Sequence, residues 1–284
     1  MTSNDLVLNK LFTKYIFRDL IDKQTNSTYV SVVKRYIDDA EAKDNRTLIS
    51  EIYEYMSRSY RNEYFYQNTL LNKLLIGKHS INTTTALTQI PIGKSKADFI
   101  LINGKAVVYE IKTELDTLER LETQLADYYK AFNHVCVVTC EENYEKLVSI
   151  LGDSAVGIYV LTKNNTFSKS ICKEPVEENG YLDYQAIFKV LHKKEFENII
   201  ENFFDRLPEA SPVFYYDECF KLFSQIPLME VYAMALHELK RRNKIVIQEF
   251  KEVPYELKSL MYFFVQSKKN YLHLNQFLHK KFGG

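Results

Sequence analysis

No run of apolar residues reaches the roughly 18 needed to cross a bilayer, and the opening Met-Thr-Ser-Asn-Asp has neither the basic start nor the apolar core of a signal peptide. The expectation is a cytoplasmic protein with no membrane partner. Net charge is missing as well. The 37 basic residues are offset by 37 acidic ones, so no global positive field gathers nucleic acid and any such binding must rest on local patches. Cysteine is scarce, and Cys136, Cys140, Cys172 and Cys219 match no zinc spacing. All four read as reduced core residues. His237-Glu238 lacks the second histidine of a zinc-protease motif, and His134, His192, His273 and His279 share no spacing. There is no internal repeat and no low-complexity tract.

What is present is core-forming material. At 284 residues and 46% hydrophobic, the chain suits one large domain or two modest ones, and disorder is not expected. Apolar residues at helical spacing predict helices over Asn4–Asp22 and Ser27–Ala40, and the longest such pattern runs from Thr47 to Ile76 before Gly77. Strands are expected over Ala86–Ile92, on either side of Asn103-Gly104, over Val135–Thr139 and Val156–Leu161, with a last one through Phe167–Cys172. A helix over Glu142–Leu151 is expected between the two apolar strands. Asp116 reads as the N-cap of the helix after the hairpin, with Glu119 completing a capping box. Beyond an acidic, polar stretch at Pro175–Gly180, helices are expected at Asp183–Asp205, Phe214–Gln225, Pro227–Lys244, Pro254–Ser267 and Tyr271–Phe282.

The chain is organised around Lys96 to Tyr128. Two runs rich in β-branched and aromatic residues flank Asn103-Gly104, a strong hairpin signal. The arms carry Asp98, then Glu110 and Lys112. Because strand side chains alternate, Glu110 and Lys112 share a face with Ile111 turned away. A carboxylate and an ammonium on otherwise apolar strands are expensive to bury unpaired, which marks a site. Two converging carboxylates suit a hard cation such as Mg²⁺ or Mn²⁺, and a neighbouring lysine can orient a water or offset phosphate charge. A two-residue loop would put Asp98 and Glu110 on opposite faces. The expectation is therefore a three-residue turn, Leu101 pairing with Lys105 and Asp98 with Val108, with Gly104 left-handed. On the next helix Asp116, Arg120, Gln124 and Tyr128 form a line at intervals of four, which read alone also describes a solvated ladder of side-chain pairs.

Asp98, Glu110-x-Lys112 and Gln124-x-x-x-Tyr128 together resemble the PD-(D/E)xK nuclease superfamily, in its RecB-like branch with a Gln-x-x-x-Tyr motif. The resemblance covers about Leu48 to Lys173. It departs from the pattern in having no proline before Asp98 and Lys96 where arginine is common. It implies an α/β fold: a restriction-endonuclease-like core, a mixed sheet flanked by helices, over residues 47–175. A helical N-terminal preface (1–46) and an all-helical C-terminal region (176–284) would flank it. It implies a Mg²⁺- or Mn²⁺-dependent deoxyribonuclease in which Asp98, Glu110 and the Ile111 carbonyl hold the metal and Lys112 is the catalytic lysine. Gln124, Tyr128, Arg120 and Lys96 would bind substrate. A glutamate from the preceding helix often completes such sites. Glu63 is the candidate and Glu51 the fallback, the alternative being that Glu63 is a partly exposed residue beside Arg61.

Two other readings stand beside the nuclease. One is an inactive nuclease-like fold that binds DNA or a protein. The other is an interaction module on the helical tail, serving a homo-oligomer or protein partner. Basic clusters at Lys193-Lys194, Lys240-Arg241-Arg242 with Lys244, and Lys268-Lys269 are candidate phosphate contacts, or solvated helix faces.

Overall fold

The computed structural model describes residues 6–242, 245, 247–264 and 267–283. In chain order these form α1 (Leu6–Leu11), α2 (Lys14–Asp22), α3 (Ser27–Tyr36), α4 (Asn45–Ser59) and α5 (Glu63–Leu70), the last continuing as a wide helical turn, Leu71–Lys78. Next come β1 (Thr85–Ile92), β2 (Ser95–Asn103), β3 (Lys105–Lys112), α6 (Leu121–Tyr129), β4 (Val135–Cys140), α7 (Tyr144–Leu151) and β5 (Gly157–Leu161). After these come the helices α8 (Tyr184–Val190), α9 (Lys193–Phe204), α10 (Tyr215–Phe223), α11 (Leu228–Lys240), α12 (Ile247–Lys251), α13 (Lys258–Phe264) and α14 (Lys268–His279). The class is mixed α/β, a five-stranded mixed sheet flanked by helices with helical regions at both ends.

The chain divides into two compact units, Met1–Asn82 with Lys163–Asn165 and Lys244–Gly284, and Thr83–Thr162 with Thr166–Asn243. This differs from the linear division 1–46, 47–175 and 176–284, because contacts between the chain ends are invisible to local patterning. In the first unit Asn45 donates from Nδ2 to the Phe277 carbonyl at 2.9 Å and accepts from the Tyr29 hydroxyl at 2.6 Å, all three buried. Asp44 also forms a β-bridge with Lys281. These bonds seat α4 against α14. The long helix expected from Thr47 to Ile76 breaks in two. The Tyr60 N–H closes α4 on Met56, and Asn62 starts α5 afresh by accepting from the Phe65 N–H at 3.1 Å.

The second unit holds the sheet, in the order β1-β2-β3-β4-β5, with β1–β2 and β2–β3 antiparallel and β3–β4 and β4–β5 parallel. Both faces are covered, as β-branched and aromatic runs without polar alternation require. On one face Ile100, Val108, Val137, Ile158 and Val160 meet Leu121, Leu125 and Phe132 from α6 and its exit. On the other, Tyr109 lies edge-on to Phe99 at 6.0 Å and tilted against Tyr159 at 5.9 Å. Helices α8 to α11 join the first of these cores through Phe188, Phe196, Phe223 and Val231, so this part of the C-terminal region belongs with the sheet. No strand forms over Phe167–Cys172. The chain there forms the isolated bridge Leu161↔Phe167 and, just beyond the segment, Ile158↔Lys173, and Cys172, expected in the core, is exposed.

The strongest basic cluster is partly structural. Arg242, 14% exposed at its side chain, grips Glu195 through Nε and Nη2 at 2.6 and 2.5 Å and donates from Nη2 to the Val190 carbonyl at 2.9 Å. Arg241 pairs with Glu238 at 3.1 Å, and Lys244 lies outside the described residues. A guanidinium committed to a bidentate carboxylate and a carbonyl joins α8, α9 and α11, and it is not free for phosphate.

Candidate active site on the central hairpin

The β2–β3 reversal is tighter than the three-residue turn expected. Asn103 pairs with Lys105 and Leu101 with Val107, leaving Gly104 alone at the tip with φ of +75°. A residue without Cβ takes this left-handed conformation at no steric cost. The loop is odd-numbered in either case, so the parity holds while the register shifts by two. Continuing from Phe99↔Tyr109, Asp98 falls across from Glu110 instead of Val108. The ladder stops there because the Asp98 side chain intervenes, its Oδ2 accepting from the Ile111 N–H at 2.9 Å.

Opposite that carboxylate lies a buried polar network. Glu110 is 1% exposed, Lys112 7% and Tyr128 fully buried. Lys112 Nζ lies 2.9 Å from Glu110 Oε1 and donates to Gln124 Oε1 at 2.8 Å. Gln124 Nε2 donates to Glu110 Oε1 at 2.6 Å, and the Tyr128 hydroxyl donates to Glu110 Oε2 at 2.5 Å. One turn of α6 separates Gln124 from Tyr128, so both reach the same strand. The Tyr128 hydroxyl also sits 3.0 Å from the Lys96 carbonyl. Burial, then the charge of Glu110 and its hydrogen bond, then the charge of Asp98 raise the Tyr128 pKa far above the phenolic range. Tyr128 is thus a fixed donor that feels both carboxylates. Thr139 Oγ1 holds the Lys112 carbonyl at 2.8 Å, pinning the end of β3 to β4.

Other expected residues stand elsewhere. Arg120 and the Lys96 side chain are exposed, Lys96 meeting the network through its backbone alone. Asp116 does not cap α6. Its Oδ2 accepts from Thr113 N at 2.9 Å and from Thr113 Oγ1 at 2.7 Å, closing a turn just past Lys112, and the helix begins five residues later at Leu121. Glu63 belongs to the first unit, exposed in the first turn of α5. The helical line that turned it toward the covered side is broken at Tyr60–Asn62. Glu51, also in the first unit, pairs with Lys43 at 2.8 Å.

Sequence reasoning missed Asp127, which ties α6 to the β1–β2 turn. Its Oδ2 accepts from Lys94 N at 3.0 Å and Ser95 Oγ at 2.9 Å, while Oδ1 meets Lys130 at 2.8 Å. The carboxylate comes so close that a Cβ on Gly93, at φ +60°, would lie 2.5 Å from Oδ1. The signal was a turn glycine followed by backbone donors in need of an acceptor. Burial raises the Asp127 pKa, but the bonds from Lys130, Ser95 and Lys94 outweigh it and the pKa is lowered. A depressed carboxylate pKa contributes stability that is present above the unfolded value, about 4, and is lost as pH falls through the folded one. Thermal unfolding between pH 7 and pH 3 should therefore show a shallower acid loss in Asp127→Asn than in the native chain. Parallel curves would refute the role.

A second acidic group lies at the C-terminal ends of β3 and β4. Ligand atoms of Glu114, Cys140 and Glu142 fall within 4.8 Å of one another, and burial pushes the Cys140 thiol pKa up, which favours its protonated form.

Residues 56–270 match the family model described as bacteriophage P4 protein cII. The chain belongs to that family. The matched span contains the hairpin, α6 and the whole network. Among curated proteins, this cII-family chain is similar to "Protein cII" of Enterobacteria phage P4, 29% identical over 94 residues, which is 32% of this chain and 35% of that protein. No solved structure matches it.

Proposed function

We propose that this cII-family protein is a metal-dependent nuclease that hydrolyses phosphodiester bonds, with DNA as its substrate, on a restriction-endonuclease-like core. The observation that carries the reading is the buried Glu110–Lys112 pair held by Gln124 and Tyr128, with Asp98 across the hairpin. A scaffold would gain from replacing such a pair with apolar residues, so its retention argues for chemistry. The donor set fits Mg²⁺ or Mn²⁺. Asp98 and Glu110 supply hard oxygens, and Glu110 Oε2 accepts from Tyr128 with a lone pair to spare. The N–H and C=O of a strand residue point to the same side, so the Ile111 carbonyl shares the edge where its N–H meets Asp98.

A divalent cation bound there supplies Lewis acidity toward the scissile phosphate and the attacking water. The chain's own residues do the positioning. Lys112 uses two of its three N–H groups on Glu110 and Gln124, which leaves one to orient the water and offset charge on the phosphorane. Gln124 and Tyr128 fix the rotamers of the pair, and Tyr128 stays protonated throughout. Calorimetry with Mn²⁺ tests the ligand set. Asp98→Ala and Glu110→Ala should each weaken binding about tenfold or more, since too few hard oxygens remain. Equal binding by both variants and the native chain would remove the assignment.

A non-catalytic module is the second reading, and one observation favours it. Val213, Phe214 and Tyr216, between α9 and α10 and at the start of α10, are 80%, 62% and 46% exposed, an apolar surface of the kind that meets a protein partner or a second copy.

A further inference from the structure

Five non-glycine residues among those described have positive φ. Gln24, Asp39, Asn165 and Asp205 lie in turns or just past helices, where a single left-handed residue is ordinary. Gln89, at φ +55°, is the one inside a strand. A residue with a Cβ takes that conformation against a steric penalty that glycine avoids, and strain of this kind collects at functional sites. Its place in the sheet is the second observation. The β1–β2 register runs Thr88↔Phe99 then Ile90↔Ala97, which sets Gln89 across from Asp98, and β3 sets Glu110 on the other side of Asp98. The three form one row over three adjacent strands. Thr88 Oγ1 donates to the Asp98 carbonyl at 2.7 Å while the Ile111 N–H holds its carboxylate, so Asp98 is fixed from both neighbouring strands. Along this row Glu110 is buried, Asp98 half-buried and Gln89 exposed, on the strand that ends the sheet.

Charge beside the row is one-sided. Residues Thr85 to Ala97 include no acidic side chain, and Lys94 and Lys96 are exposed there. Toward β4, Glu114, Glu141 and Glu142 are exposed at the C-terminal ends of β3 and β4. Exposed carboxylates repel a polyanion, whereas lysines attract it and a carboxamide N–H donates to phosphate oxygens. We propose, on the nuclease reading of Asp98 and Glu110, that the substrate strand runs over β1 and that Gln89 is a substrate-binding residue, its carboxamide donating to the phosphate next to the scissile one. Glycine would hold the same backbone with less strain, so the glutamine is kept for its side chain.

The test is binding of labelled single-stranded and duplex DNA to the full chain in EDTA, where nothing is cut, beside steady-state cleavage in Mg²⁺. Gln89→Gly should weaken binding about tenfold and raise KM by the same factor, with kcat within about twofold of native. Its Mn²⁺ affinity should stay native and it should melt no lower, a split that damage to the fold would not give. Gln89→Glu should bind more weakly still, because it sets a negative charge against phosphate, and its deficit should shrink as salt rises. Gln89→Asn keeps the carboxamide and tolerates the left-handed backbone, so it should recover part of the affinity. Native affinity and native KM in both Gln89→Gly and Gln89→Glu, while the native chain cuts DNA, would overturn this contact and leave the nuclease reading standing. DNA binding that depends on Gln89 in a chain that cuts nothing would keep the contact and remove the nuclease reading. A native chain that neither binds nor cuts DNA would overturn both.

Discussion

Replacing Lys112 by Ala is expected to destabilise the second unit by about 3–5 kcal/mol, because it leaves the Glu110 carboxylate charged and unpaired inside the core. The side chains of Lys112 and Glu110 are 9% and 2% exposed, so solvent offers the stranded charge little compensation. The double change Glu110→Leu with Lys112→Met should recover most of that loss, since the cost lies in the unpaired charge and not in lost packing. Urea unfolding of the native chain, Glu110→Leu, Lys112→Met and the double variant forms the cycle, with Lys112→Ala measured beside it. A single-variant loss below about 1 kcal/mol, the value of an exposed pair, would show that water reaches the network. A double variant as stable as the native chain, and silent in a nuclease assay, would show a pair kept for chemistry.

The hairpin was legible because its determinants are local. β-Branched alternation marks β2 and β3, Gly104 marks the reversal, and parity alone required an odd loop if Asp98 and Glu110 were to share a face. The register was not legible, because loops of the same parity leave the same residues on each face, and the choice among them is made by pairing along the whole ladder. The approach of Gln124 and Tyr128 to Glu110 was readable from a spacing of four on a helix, while their bond pattern needed the packing of α6. Helical phase continues unbroken across Tyr60–Asn62, so the end of α4 showed only in the capping residue Asn62, and Glu63, expected on the covered side, is exposed. Asp116 satisfied a capping pattern, yet its nearest donors belong to Thr113, a competition between turn and cap that spacing does not resolve. The bond from Asn45 to Phe277 spans 232 positions, and no window along the chain reports it. The union of the chain ends, and with it the division into two units, was therefore hidden.

Nuclease activity is tested most directly by incubating the purified chain with linear, circular and single-stranded DNA, with Mg²⁺, with Mn²⁺ and with EDTA. Cleavage of at least one substrate is expected with metal and none in EDTA. Asp98→Asn and Lys112→Ala should each reduce the rate about a thousandfold, the loss of roughly 4 kcal/mol of transition-state stabilisation. Tyr128→Phe, which removes one bond to Glu110, should fall by a smaller factor. Metal-dependent cleavage that survives unchanged in Asp98→Asn, or no cleavage of any DNA by a folded native chain that binds Mn²⁺, would contradict the proposed active site.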